Sequence, residues 1–309
     1  MQPITSTATL TPTTQRQGVK VQTRPFKITD IPDAMDKMNW PVAAALMRHW
    51  FNGKPWPDTV DGGMSAEVKR HDAWPAEEYI EETIVKMDWV LQFSESRDAL
   101  HALRGLWFSE SAQAFMKANL ARNLFGIADG LYPVAFKGKA SAAEKFGRFN
   151  IQPVVFANWD ISSLSELRGA LANFNMRVAG EGDVLVSGNR LRFEVRRLAF
   201  YIEDSYDFRD PYMWYSQPLG FWGFEGMANS VAELMARNGR LHIGFSEGSI
   251  SAAEVQARYA DFMSKRFFLV TNSDFAEYRA SSGSGGDFRI FSDIKYENLP
   301  RAVVLEVNR

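Results

Sequence analysis

The spacing of apolar positions changes character near residue 125. Ahead of it, apolar residues recur at helical intervals. Between Pro75 and Phe93, Ile80, Ile84, Met87 and Leu91 make one stripe, with Tyr79, Thr83 and Val90 beside it. Glu77, Glu78, Glu81 and Glu82 crowd the first turns, where a helix dipole favours acids. This pattern predicts an amphipathic helix. Asn39-Trp40-Pro41 predicts the entry to a helix from Val42 to Phe51, because proline suits a first turn, and Gly53 and Pro55 close it. Ser96 to Leu106 and Ser109 to Leu124 continue as helices. Residues 1–25 are rich in Thr, Ser, Gln and Pro, with little to bury, and predict a disordered arm.

Behind residue 126 the period shortens to that of strands. Gln152 to Ala157, Met176 to Ala179 and Asp183 to Ser187 are short candidates, and Arg190 to Ile202 is the longest. In it Leu191, Phe193 and Val195 alternate with Arg190, Arg192, Glu194 and Arg196. The parity slips at Arg196-Arg197, after which Leu198, Phe200 and Ile202 carry the apolar side onward. One extra residue in a regular strand is the mark of a β-bulge. Gly180-Glu-Gly182 and Gly188-Asn189 read as turns that join three strands into a meander. Ser141-Ala-Ala-Glu144, Ser163-Leu-Ser-Glu166 and Ser251-Ala-Ala-Glu254 each fit a capping box. The second opens a helix to about Phe174 and the third a helix to Arg266. Phe267 to Val270, Phe288 to Phe291 and Ala302 to Val307 add strands, with a short helix from Asp274 to Ala280. The whole predicts an α+β chain: a mainly helical region, 26–125, then an α+β region, 126–309, around an antiparallel, half-barrel-like sheet.

Composition narrows the function classes. With 309 residues, 46% hydrophobic and 23% charged, the chain has the make-up of a globular protein. A formal charge of -2 lacks the basic footprint of a nucleic-acid binder. The absence of cysteine removes disulfides, thiol catalysis and thiolate metal sites. No apolar run approaches the ~18 residues of a spanning helix. The N-terminal stretch lacks the apolar centre of a secretory signal. The expectation is therefore a protein that is cytoplasmic in the producing cell, delivered to any target cell by a machine that reads no signal peptide.

The chemistry concentrates at the end of the longest strand. If extension continues past Ile202, Asp204 and Tyr206 fall on the inward face and Asp207 on the other. An inward acid is costly unless paired, coordinated or wet. Glu203, Asp204, Asp207 and Asp210 form the densest acid cluster. Asp204 and Asp207 could hold a hard divalent cation such as Mg2+; the alternative is a hydrogen-bonded turn. Arg190, Arg192, Arg196 and Arg197 suit phosphate, or else salt bridges to nearby acids. The aromatic loop from Tyr212 to Phe224, with Trp214, Tyr215 and Trp222, reads as a docking surface in a binding module. His49, His71, His101 and His242 show no metal-ligand spacing and read as structural. Gly244-Phe-Ser246-Glu-Gly248 has the outline of a nucleophile elbow, but without a parallel α/β frame it reads as a turn.

Several phrases carry a resemblance: Ile31-Pro-Asp-Ala-Met35, Trp40-Pro-Val-Ala-Ala44, Met47-Arg48-His49-Trp50-Phe51, Asp204-Ser-Tyr-Asp-Phe208, Gln217-Pro-Leu-Gly-Phe-Trp222, Gly285-Gly-Asp-Phe288 and Phe291-Ser-Asp293. Across residues ~26 to ~300 the chain resembles a bacterial domain family of unknown function, whose genes tend to lie near type VI secretion spike components. The resemblance implies an antibacterial effector, with a spike component or an immunity protein as partner, or else a non-enzymatic cargo adaptor. A membrane-active toxin that rearranges the helical front half, with its apolar Val42 to Met47, is a third reading. Asp204-Ser205-Tyr206-Asp207 alone resembles the D-x-Y-D motif of colicin M-type bacteriocins, which cleave the lipid II pyrophosphate linkage. Their motif continues after five residues with His-Arg, where this chain has Met213 and Trp214. The likeness implies metal-assisted phosphoester hydrolysis, with Asp204, Tyr206 and Asp207 as catalytic group and Arg196, Arg197 or Arg209 holding phosphate.

Overall fold

Two long strands, β4 (Phe174–Ser187) and β5 (Arg190–Tyr206), pair antiparallel along nearly their whole length and form the spine of the molecule. The computed structural model describes residues 24–156, 164–210, 216–228, 230, 234, 235, 238 and 265–308. Gly188, at φ 53°, makes the tight turn between the two strands, as expected of Gly188-Asn189. Each outer edge of this hairpin is shared by two shorter strands. Along β5, β10 (Lys295–Asn308) covers the first part and β9 (Phe288–Phe291) the last. Along β4, β3 (Asn150–Val154) and β2 (Gly130–Val134) do the same. β1 (Ile80–Glu81) adds a parallel edge to β9. The result is a curled, mixed half-barrel of seven strands behind mostly N-terminal helices, an α+β fold. A small second sheet joins β6 (Pro218–Gly223), β7 (Gly226–Met227) and β8 (Phe268–Thr271).

The bulge falls at the predicted residue. Glu181 pairs with Arg197 and Gly182 with Val195, so Arg196 is the extra residue of β5. Opposite it, a Cβ on Gly182 would run into the Glu194 carbonyl, so only glycine fits. The predicted turn at Gly180-Glu-Gly182 is therefore wrong. Those glycines let strands approach, and β4 runs straight through.

Helices fully within the described residues are α1 (Ile31–Lys37), α2 (Pro41–Asn52), α3 (Ala66–Lys69), α4 (Met87–Val90), α5 (Ser94–Leu106), α6 (Glu110–Asn123), α7 (Ala140–Phe146), α8 (Glu166–Leu171) and α9 (Asn272–Ser282). Pro41 opens α2, and the Ser109 side chain caps α6 by accepting from the Ala112 N–H. The predicted helix over Pro75 to Phe93 does not form. Glu81 folds back to accept from the backbone N–H of Thr83 (2.5 Å) and Ile84 (2.9 Å), and this turn takes donors a helix would have needed. A short 3-10 turn, β1 and α4 replace the helix. α7 begins before Ser141, whose N–H donates to Glu82, and Glu144 turns inward instead of capping. α8 is capped by Ser165 and stops at Leu171. The predicted arm up to residue 23, the helix from Ser251, His242 and Gly244 to Gly248 lie outside the described residues.

One continuous core spans the chain from Phe26 to Val307. α2 supplies its fully buried Trp50, which meets Phe208, Phe275 and Phe51 edge-on. Phe208 stacks on Phe275 at 3.8 Å. Gly285 has φ 97°, and any Cβ there would meet the Trp50 ring at 2.6 Å. Next to it Asp287, wholly buried, accepts from Trp50 Nε1 (2.8 Å), the Met64 N–H (2.9 Å) and Arg279. Trp56 Nε1 donates to the Asp287 carbonyl. The Met47–Phe51 and Gly285–Phe288 phrases are thus two halves of one lock that fastens α2 to the sheet.

Candidate functional site at the end of the central strand

β5 remains extended through Tyr206, so the D-x-Y-D stretch ends the longest strand and its residues alternate between faces. On one face, Tyr206 stacks on Phe288 (centroids 5.0 Å apart) and points its hydroxyl at the Met47 sulfur of α2, 3.8 Å away. Asp204 shares this face. Burial, with the neighbouring Glu203 and Asp207 charges, pushes its carboxyl well above the usual carboxylate range, and the Ser205 N–H only partly opposes this. Burial likewise raises the Tyr206 phenol, and the Asp204 charge adds to it. Asp204 is therefore a carboxyl that holds its proton more tightly than an exposed aspartate, beside a phenol that does the same.

Asp207 is engaged differently. Its carboxylate is ion-paired with Lys69 at the end of α3. Burial raises its pKa against the pull of Lys69. The ammonium sits where a metal ligated by Asp207 would need to bind. Among the described residues no three His, Asp or Glu side chains gather to hold a metal ion. The donor set thus fits Mg2+ poorly, and the expected pairing of Asp204 and Asp207 on one cation gains no support from the geometry. Asp210 is the hydrogen-bonded turn, accepting from the Gln217 N–H (2.8 Å) and Asn272 (3.1 Å).

The predicted phosphate clamp is not assembled. Arg196 pairs with Asp183, and Arg197 with Glu181 beneath a stacked Tyr296 ring. Arg209 reaches Asp61 (3.0 Å) and the Met64 carbonyl (3.1 Å). Arg197 lies seven residues up the strand from Asp204, about 23 Å away. Trp222, expected on a docking surface, is buried at 4% exposure with its Nε1 on the Leu219 carbonyl, so it belongs to the core. Trp214 and Tyr215 lie outside the described residues. The apolar run of α2 is likewise core, since Ala43, Ala44, Leu46 and Met47 are all buried. No helix among the described residues is long and apolar enough to cross a membrane.

The opposite face of β5 carries what the sequence did not disclose. Tyr201 and Glu203 point there and are as buried as core side chains, so both faces are covered at this end. Arg177 of β4 is ion-paired with both Glu144 of α7 and Glu203. Arg289 of β9 donates to the Val68 carbonyl (2.5 Å), with its Nε 3.5 Å from Glu203. Arg148 reaches Glu144 (3.1 Å), and the Tyr201 hydroxyl donates to the same carboxylate (2.8 Å). His71 closes the cluster from the surface: Nδ1 lies 2.8 Å from Arg289 Nη1 and Nε2 3.3 Å from Arg177 Nη2. Burial and the two guanidiniums lower its pKa to about 4, so the ring is neutral at pH 7. Burial raises Glu203 despite its arginines. An arginine within a strand was the only available sign, and nothing local marked it as buried.

These features define an α+β protein whose ionisable groups collect at one end of a half-barrel. The chain belongs to the family of unknown function DUF6402, whose profile matches residues 26–307. No curated protein and no solved structure matches it.

Proposed function

We infer that the chain is a type VI secretion-associated antibacterial effector acting on the cell envelope by phosphoester hydrolysis at the end of β5. The observation that carries this reading is the placement of Asp204 and Tyr206 on one face at the end of β5, where burial raises the Asp204 carboxyl well above the usual carboxylate range. A carboxyl whose pKa is raised by its surroundings is suited to donate a proton. In this reading water attacks phosphorus and loses a proton to bulk solvent, the ester P–O bond breaks, Asp204 gives its proton to the leaving oxygen, and the Asp204 carboxylate is reprotonated from solvent. Lys69, held in place by Asp207, offers a positive charge to the anionic substrate. The resemblance to colicin M-type bacteriocins supports the substrate class, a pyrophosphate-linked lipid carrier, although the His-Arg that follows their motif is replaced here.

Purified protein incubated with such a carrier, with and without Mg2+, is followed by 31P NMR. Release of a pyrophosphate monoester by wild type, lost in Asp204→Asn, is expected. No release in either condition refutes hydrolysis and brings the cargo-adaptor reading forward.

A further inference from the structure

The arginine face of β5 is independent of the effector reading. We propose that Arg177 and Arg289 form an oxyanion-binding site, and that the His71 ring holds the place of a singly charged group with two acceptor oxygens, a phosphodiester or a carboxylate.

A guanidinium only donates, whereas a neutral imidazole carries one acceptor and one N–H. His71 presents both of its nitrogens to arginines. If Nδ1 accepts from Arg289 at 2.8 Å, the proton sits on Nε2 and faces Arg177, donor against donor. Glu203, 3.6 Å from Nε2, is too far to take that proton well. The other tautomer sets the clash at the shorter contact. A group with two acceptor oxygens satisfies both arginines at once, as bidentate carboxylates and phosphates do.

Charge gives the same answer. Arg148, Arg177 and Arg289 face Glu144 and Glu203, so three positive groups meet two negative ones, and a neutral His71 leaves one positive charge over. Both acids are already committed, Glu144 to Arg177, Arg148 and Tyr201, and Glu203 to Arg177 and Arg289. The Nε groups of Arg177 and Arg289 are buried without a hydrogen-bond acceptor, on side chains 3% and 0% exposed. Unsatisfied buried donors of this kind are costly, so the two guanidiniums together are short of acceptors.

The ring is also placed to leave. His71 has φ 65°, a left-handed conformation that costs a residue other than glycine, and its side chain is 31% exposed. Asp72 and Ala73 after it are exposed. Rotation of the imidazole toward solvent opens the space between the Arg177 and Arg289 guanidiniums. No preformed cavity is needed.

The test uses the full chain at pH 7 with dimethyl phosphate, acetate or chloride at matched ionic strength. His71→Gly removes the ring and suits the left-handed backbone. By removing the competitor it is expected to bind dimethyl phosphate or acetate about ten-fold more tightly than wild type. Calorimetry and melting temperature both report this, and the preferred anion identifies the source. In wild type the His71 imidazole NMR signals should move toward those of an exposed histidine as the anion saturates. The proposal is overturned if neither anion stabilises His71→Gly beyond chloride, or if wild type and variant respond alike. Should His71→Gly not fold, His71→Asn takes its place, and the wild-type His71 signals then decide: unmoved signals at saturating anion reject the site.

Discussion

His71 offers a quantitative handle on the arginine cluster. Its pKa, lowered to about 4 from an ordinary 6.5, means that the folded state binds a proton less readily than the unfolded chain. The contribution is therefore present above the unfolded pKa and lost as pH falls through the folded one. Integrating between the two values gives a loss of about 3 kcal/mol between pH 7 and pH 4 for a fully shielded ring. With the side chain 31% exposed, solvent screening reduces this to roughly 1–2 kcal/mol. His71→Asn is the useful perturbation, because asparagine tolerates a positive φ and does not titrate. Urea denaturation of both proteins at several pH values between 7 and 4 isolates the term as the change in their stability difference. Wild type should lose about 1–2 kcal/mol more than His71→Asn over that window. A pH-independent difference, or a His71 NMR titration centred near 6.5, would refute the placement of the ring between two guanidiniums.

Asp287→Asn keeps the shape of the α2 lock but leaves Arg279, 4% exposed, without its charge partner. It should cost about 3–5 kcal/mol, seen as a melt lowered by about 2 °C per kcal/mol; an unchanged melt would show that the lock is dispensable. Asp204→Asn should behave oppositely. The raised Asp204 pKa contributes stability below its unfolded value near 4, lost as pH rises through the folded one, so the variant should gain on wild type as pH increases from 4. A parallel pair of stability curves would mean that Asp204 is ionised like any surface acid. Trp222→Ala should lower stability by about 3–5 kcal/mol as a core truncation; full stability with loss of a co-purifying partner would instead restore the ring to a docking role.

The sequence was informative where local pattern and tertiary demand coincide. The parity slip at Arg196 appears as the observed bulge, and Pro41 and Ser109 open their helices, because backbone chemistry acts over a few residues. Gly180 and Gly182 misled for a physical reason: glycine marks close approach as often as a turn, and here Phe149, Val195 and the Glu194 carbonyl occupy the space of the missing Cβ atoms. The helical stripe over Pro75 to Phe93 was real as spacing but was overridden by the Glu81 turn.

At the candidate site, alternation correctly sent Asp204 and Tyr206 to one face. It could not show that the other face is also buried, since Glu203 reads as an outward polar residue until α7 and His71 cover it. Arg177 and Glu203 are 26 residues apart, and His71 and Arg289 are 218 apart. Such pairs are created by the fold alone. Arg196, Arg197 and Arg209 looked alike in sequence, yet each answers an acid of its own.

The proposed action of the β5 end on the envelope of a susceptible bacterium is open to direct test. Its most direct measurement is viable count after induction of wild type and Asp204→Asn, each directed either to the cytoplasm or to the periplasm, at matched levels of folded protein. The account predicts that periplasmic wild type lowers the count sharply, while Asp204→Asn in the same compartment does not. Equal survival of all four strains, or an Asp204→Asn protein as toxic as wild type, would contradict it.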